Sequence, residues 1–407
     1  MQLDEFRKSP TGVLVPISGS SPGGTWTHMA FLPHPLGSEE PPLTGATYRK
    51  VSNARAALAA LDSTAQRLPN PRLFRQSTLR LEAQSTAALE GTYEPLARVL
   101  AADPAAIQDP SMREVLNYIV VAEQAFEWAE QGRSWTVAAV SELQRLLMKG
   151  TSGEREYSGV RPSQVVIGRR EGAHPNEVPI QAARYVPPPP GPDLHARLTD
   201  LLTWIEVDRR QDIDPVVATA MAHYEFEALH PFHDGNGRLG RLLIVLHLHR
   251  CGILSEPTIT VSPWFEARRT QYYDALLGVS TMGDWSTWTA FFADGIAQSA
   301  DETRKRMLAL AELQAELKAQ LEQSAVRTAN ARVLVDFAVA RPTFTVTQAA
   351  EALGMRYQGA KKLIDSLVDL RILAPFMERT YNRLYHAPRV MDVLLGRATS
   401  PQIEAHE

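Results

Sequence analysis

A mainly α-helical chain of two or three domains is the fold class the sequence predicts, on three observations. Apolar residues at helical spacing recur from about Ala46 into the last third of the chain, parted by Pro and Gly. One short β-branched run, Gln164-Val165-Val166-Ile167, stands among glycines and prolines and suits a single hairpin. The chain has 407 residues, more than one hydrophobic core usually serves.

Bulk properties narrow the function classes. The formal net charge is −4, which argues against a chain-wide basic surface for non-specific nucleic-acid binding. The single cysteine, Cys251, excludes an intramolecular disulfide and fits a reducing compartment; at an apolar helix end it reads as a small buried hydrophobe. The first residues lack the basic-then-apolar order of a signal peptide. The most apolar run, Leu242 to Leu254, is too short and too rich in His and Arg to span a membrane. A soluble cytoplasmic protein is expected.

Residues 1–45, rich in Pro, Gly and Ser, read as an extended arm or a loose tail. A helix is expected over Ala54 to Leu68, stopped by Pro69-Asn70-Pro71. The next helix, about Leu73 to Glu90, ends near Gly91 and places Glu90 in its last turn, where a carboxylate opposes the helix dipole and invites a cationic partner. A solvated Glu is the plain alternative. Helices follow over Ser111 to Gln131 and Val137 to Lys149. From Gly153 to Tyr185 the glycines and prolines surround the β-branched run, and a hairpin is expected at about 159–186. Pro187 to Pro190 forms a stiff break. Helices over Leu194 to Arg210 and Asp214 to Ala228 lead to the most informative stretch of the chain.

That stretch, His230 to Arg241, reads His-Pro-Phe-His-Asp-Gly-Asn-Gly-Arg-Leu-Gly-Arg. Gly235, Asn236 and Gly237 can present backbone N–H groups to an anion, and the apolar helix-forming run that follows puts them at a helix N-terminus, where phosphate is favoured. Arg238 and Arg241, three apart, project near one face and suit forked contacts with phosphate oxygens. Asp234 is placed to hold a divalent cation such as Mg2+. His230 is neutral often enough at pH 7 to accept a proton from a hydroxyl. A solvated loop explains any one of these residues; it explains the set poorly.

The stretch resembles the Fic motif, His-x-Phe-x-[Asp/Glu]-Gly-Asn-Gly-Arg-x-x-Arg, at every specified position. The resemblance implies a protein adenylyltransferase: ATP as substrate with Mg2+, AMP passed to a Ser, Thr or Tyr hydroxyl of a target protein or of the enzyme itself, pyrophosphate released. By resemblance His230 is the general base, Phe232 the buried anchor of the loop, and Asp234 the Mg2+ ligand. Gly235, Asn236 and Gly237 resemble the anion hole for the α- and β-phosphates. Arg238 and Arg241 resemble the phosphate-binding arginines, with Arg241 aimed at the γ-phosphate. Tyr272 and Tyr273 correspond to the wall of the nucleotide pocket, with core packing as the alternative for each. The expected hairpin resembles the flap on which targets dock. Ser/Thr-x-x-x-Glu-Gly, with Thr86, Glu90 and Gly91 at the matching positions, resembles the family's inhibitory helix. There Glu90 would pair with Arg241 and hold ATP in a non-productive pose. A homodimer is a further implication.

Trp285, Trp288, Phe291 and Phe292 fit an aromatic core, and a long polar-rich helix runs from Asp294 to about Ser324. Beyond it, helices at Ala331 to Val339, Val346 to Leu353 and Tyr357 to Leu370 and a two-stranded wing at Ile372 to Tyr385 resemble a winged helix-turn-helix. Arg356, Gln358, Lys361 and Lys362 lie near the start of the helix Tyr357 to Leu370, the end that approaches a major groove. Asp365 and Asp369 thin that charge, so DNA binding and a packing role stay open.

The expectation is therefore a mainly α protein with a Fic-type helical core, a β-hairpin flap and a C-terminal winged helix. Its segments are an extended arm at 1–45, a helical region with the inhibitory helix at 46–110, a catalytic core at 111–300, a linker helix at 301–325, the winged helix at 326–395 and a tail at 396–407. AMP removal by the same site and an ATP-sensing DNA-binding regulator are the alternative functions.

Overall fold

The computed structural model describes residues 1–21, 24–68, 70–102, 109–154, 159–376 and 383–397. A short α1 (Leu3–Phe6) precedes the hairpin β1 (Gly12–Ser21) and β2 (Gly24–Pro33). Five helices follow: α2 (Gly45–Arg67), α3 (Pro71–Leu89), α4 (Leu96–Ala101), α5 (Pro110–Glu130) and α6 (Val137–Met148). Then come β3 (Ile167–Arg169), α7 (Pro179–Ala182), β4 (Ala183–Tyr185), α8 (Pro192–Glu206), α9 (Pro215–Leu229) and α10 (Asn236–Arg250). The chain continues through α11 (Ser262–Glu266), α12 (Arg269–Met282), α13 (Trp285–Glu322), α14 (Ala329–Ala340), β5 (Thr343–Thr345), α15 (Val346–Leu353), α16 (Tyr357–Asp369), β6 (Ala374–Pro375), β7 (Leu384–His386) and α17 (Pro388–Leu394). The expected mainly α class is what the chain adopts. No helix among the described residues is long and apolar enough to cross a membrane.

The chain divides into two compact units that do not follow sequence order. One comprises 1–59, 120–257 and 264–298. Its centre is α9, whose run from Pro215 to Leu229 has apolar residues around its whole circumference and is buried along nearly its whole length, its Thr219, His223 and Glu225 included. α8, α10 and α12 pack against it, and Trp288 of α13 donates its indole N–H to the Ala220 carbonyl at 2.9 Å.

Residues 1–45 differ from the arm expected. Their main element is an antiparallel ribbon of ten-residue strands, registered from Gly12 opposite Pro33 to Ser21 opposite Gly24. Its base is fixed by Phe31, which packs on Phe6 and Tyr185 and donates its N–H to the Val186 carbonyl at 2.9 Å. Pro16 and the Gly and Ser residues obscure the strand in sequence. A two-stranded ribbon tolerates them because both of its strands are edges.

The flap hairpin is shorter than the sequence suggests. β3 and β4 pair over three residues each, Ile167 opposite Tyr185 and Arg169 opposite Ala183. Within the longer Gly153–Tyr185 stretch, residues 155–158 lie outside the described residues.

The second unit comprises 60–119, 258–263 and 299–407. Here α3 is enclosed by α4, α14 and α17. Glu82 on α3, almost fully buried, accepts both the N–H (3.0 Å) and the hydroxyl (2.5 Å) of Ser262. α3 stops in a Schellman turn: Gly91 N–H reaches Ala88 O, Thr92 N–H reaches Ala87 O, and Gly91 takes φ 97°. In the C-terminal part α14 and α16 pack on α15, and α15 lies against β5 of a three-stranded sheet of order β5-β7-β6. Thr345 and Gln348 form a capping box that starts α15. Of the expected wing, 377–382 lie outside the described residues, as do 398–407 of the expected tail. The expected linker helix at 301–325 is no separate element, because α13 runs unbroken from Trp285 to Glu322.

Candidate active site

The site is built at the junction of α9 and α10. α9 ends on His230, which caps it at φ 46°, ψ 60° with its N–H on the Phe226 carbonyl. A left-handed conformation at a residue with a Cβ costs roughly 1–2 kcal/mol. Such strain persists only where surrounding contacts hold it, and it gathers at functional positions. Pro231 then turns the chain into a tight loop.

Asn236 closes that loop. Its side-chain oxygen accepts the Phe232 N–H and its NH2 donates to the Phe232 carbonyl, both at 2.9 Å. Phe232 itself is fully buried beside Phe226. The Asn236 side chain is thus a clamp on the loop, and its backbone N–H stands at the helix end where an anion is favoured. Gly235, at φ 84°, is the N-cap of α10, and a Cβ there would stand 3.0 Å from Leu147. The N–H groups of Asn236, Gly237 and Arg238 form the first turn of α10, where no preceding helical carbonyl reaches them, so this end of the helix is disposed to bind an anion.

The charged groups lie within the same turn. Arg238, buried, donates from Nη2 to Asp234 Oδ1 at 2.8 Å. Oδ1 also accepts the Gly235 N–H. The Gln144 side-chain NH2 holds the Asp234 carbonyl at 3.2 Å. The Asp234 side chain is 46% exposed, and its Oδ2 occupies the space that a Cβ on Gly153 would enter, at 2.6 Å. One half-exposed carboxylate with a cradle kept open by glycine fits a small hard cation that draws most of its ligands from water and phosphate. Among the described residues no group of three or more His, Cys, Asp or Glu side chains could hold a metal by itself.

Arg241 is completely buried on α10. Beneath it lies a polar chain that the sequence did not announce. His223 Nδ1 meets the Gly240 carbonyl at 3.1 Å and Nε2 meets the Tyr272 hydroxyl at 2.7 Å. A carbonyl can only accept, so Nδ1 carries the proton and Nε2 accepts from Tyr272. Burial, and then the charge of Arg241, push the His223 imidazole down to about 3, so it stays neutral under the arginine.

This geometry redirects Tyr272. It is 1% exposed, with its hydroxyl on His223 and its ring among Phe265, Trp288 and Phe291, which is a place in the core. Tyr273 is half-buried, with the Arg269 guanidinium 5.8 Å from its ring centre. Of the three residues singled out near the end of α3, Thr86 is fully buried, Glu90 is the exposed C-cap, and Gly91 supplies the left-handed turn. Sequence reasoning also missed Arg161, whose guanidinium reaches the His230 carbonyl.

Two family models match the chain: Fic/DOC family over residues 134–248, and Fic/DOC family N-terminal over residues 48–127. The first contains the whole α9–loop–α10 junction. The chain carries a Fic/DOC domain. Among curated proteins similar to it, a protein adenylyltransferase Fic from Aedes aegypti is 34% identical over 131 residues, 32% of this chain and 25% of that protein. Protein adenylyltransferase fic-1 from Caenorhabditis briggsae is 28% identical over 265 residues, 62% of this chain and 46% of that protein. This chain therefore spans between a quarter and a half of the length of these relatives. A crystal structure of a Fic family protein from Desulfovibrio desulfuricans G20 shares the fold, with TM-score 0.52, 21% identity, and coverage of 86% of this chain and 98% of that one.

Proposed function

We propose that the chain is a protein adenylyltransferase that passes AMP from ATP to a hydroxyl of a target protein or of itself. The observation that carries this reading is the α9–α10 junction. A strained His at one helix C-terminus, a first turn of backbone N–H groups, and two buried arginines within one turn lie inside the segment that matches the Fic/DOC family. Names given to the curated relatives support the same activity.

In this reading His230 takes the proton of the attacking hydroxyl. The N–H groups of Asn236, Gly237 and Arg238 face the phosphates and stabilise charge developing there. Arg238 and Arg241 hold the departing pyrophosphate. Asp234 would hold Mg2+, which supplies charge neutralisation on the phosphates when bound. Positioning and electrostatics, rather than covalent chemistry, carry the acceleration. Glu90 restrains the reaction by engaging Arg241, a reading that rests on the resemblance at 86–91.

The test is labelling with α-32P-ATP and Mg2+ in the wild type, Glu90→Gly and Glu90→Gly/His230→Ala. Strong label on the protein or a lysate partner is expected in Glu90→Gly, little in the wild type, and none in the double variant, which still binds ATP. Equal label in all three would remove both His230 as base and Glu90 as restraint. No label in any sample, with ATP bound, would shift the reading to AMP removal from a modified protein, testable on a pre-modified substrate.

A further inference from the structure

We infer that Arg161 is the positioning residue of His230: it ties both legs of the flap to the carbonyl of the base and so fixes the imidazole's place at the end of α9. The reaction it serves is the one proposed above, and the inference rests on that reading.

Arg161 sits between α6 and β3 at 1% exposure, among the largest fully buried side chains of the protein. A buried guanidinium is commonly matched by a carboxylate. Here the hydrogen bonds it makes go to main-chain carbonyls. Nε donates to His230 O at 2.9 Å, Nη1 to Ser163 O at 3.2 Å, and Nη2 to Pro188 O. Its own backbone N–H donates to Pro231 O at 2.9 Å. Ser163 and Pro188 lie on the two sides of the β3–β4 hairpin, and His230 and Pro231 begin the motif loop.

The arrangement answers a specific need of the fold. The last carbonyls of a helix lack intrahelical partners. At the end of α9 the flap legs supply donors: the Tyr185 hydroxyl to Ala228 O at 3.0 Å, and Arg161 to His230 O and Pro231 O. A cation at a helix C-terminus also complements the dipole. His230 is held at φ 46°, against its intrinsic preference, while Arg161 grips its carbonyl. The rigid planar fork can serve several carbonyls at once, which a lysine ammonium on a flexible stem does not reproduce. Burial pushes the guanidinium down to about 10, still far above neutral pH, so the clamp stays charged where the enzyme works.

The test uses the full chain with Arg161→Lys. Imidazole 15N spectra read the base without turnover, the His230 signals being assigned by their loss in His230→Gln. In Arg161→Lys the His230 signals are expected to shift or broaden while those of His223 and His247 stay. In the Glu90→Gly background, kcat should fall by about 10- to 100-fold with KM for ATP altered less than about twofold, since the phosphate-facing turn of α10 is untouched. Leu198→Ala, a core change on α8, is the control: it lowers the thermal midpoint without moving the His230 signals. Unchanged His230 signals and unchanged kcat in folded Arg161→Lys overturn the inference. The wild type gives a second measurement that needs no variant. The Arg161 Nε–H is expected to exchange slowly with solvent, and fast exchange overturns the inference as well. If neither wild type nor Glu90→Gly transfers AMP, the proposed activity fails while the spectra and the exchange rate still decide the role of Arg161.

Discussion

At the scale of single residues, three buried titratable groups on α9 and α10 set how stability depends on pH. Glu225 is almost fully buried, and its Oε2 has no hydrogen-bond partner among the described residues. Burial pushes its carboxyl up to about 8, only partly offset by the charge of Arg197. Below pH 4.5 the acid is protonated folded or unfolded; as pH climbs to 8 the folded chain keeps a proton that the unfolded chain releases, so stability falls. The imidazoles move oppositely. Burial drives His223 to about 3 and His247 to about 4, so the stability they contribute is complete above pH 6.5 and is lost as pH falls towards those values. From these three groups a maximum is expected near pH 6.5, with an alkaline decline of at most roughly 2 kcal/mol by pH 8. In Glu225→Gln the decline between pH 6.5 and 8 should vanish while the acid limb remains. Thermal midpoints across that range check this, and a persisting alkaline decline would remove Glu225 as its source.

At the scale of elements, helix ends hold most of the information. The close of α3 carries two readings at once: a sequence resembling an inhibitory motif, and a Schellman turn that needs its glycine. A Cβ on Gly91 would meet nothing within 4 Å, so Gly91→Ala bears only the backbone cost of φ 97°, about 1 kcal/mol. Urea unfolding should show a loss of that size, and an unchanged midpoint would end the assignment of Gly91 as the helix stop. The junction of α9 and α10 was legible because its chemistry is local. His230, Asp234, Gly235, Arg238 and Arg241 fall within twelve consecutive residues, and their spacing places them in one loop and one turn. The β1–β2 ribbon was not legible, because weak alternation interrupted by Pro16 and glycines reads as coil until Phe31 is seen anchored on Phe6 and Tyr185.

At the scale of the molecule, the units are assembled from distant parts of the chain, and α3 packs with the C-terminal helices α14 and α17 as well as with its neighbour α4. The C-terminal elements place Arg356 as the N-cap of α16, with Lys361 tied to Asp365 four residues on. With that ammonium engaged and a net charge of −4, the full chain is expected to give no gel shift with duplex DNA at about 0.15 M salt. A shift lost in Lys362→Ala would restore DNA as a partner.

What the sequence by itself determined is the set of groups on which the proposed reaction draws. A helix-period pattern, two glycines and a histidine, carboxylate and arginines at fixed spacing specify a helix start suited to an anion with an imidazole beside it, because backbone geometry alone brings residues three to eleven apart together. Only the tertiary structure decided what holds them. Arg161 lies 69 residues from His230, and His223 lies 49 from Tyr272. Hydrogen bonds over such separations leave no local periodicity, since the residue types that form them are set by burial and by which carbonyls a helix end leaves without partners.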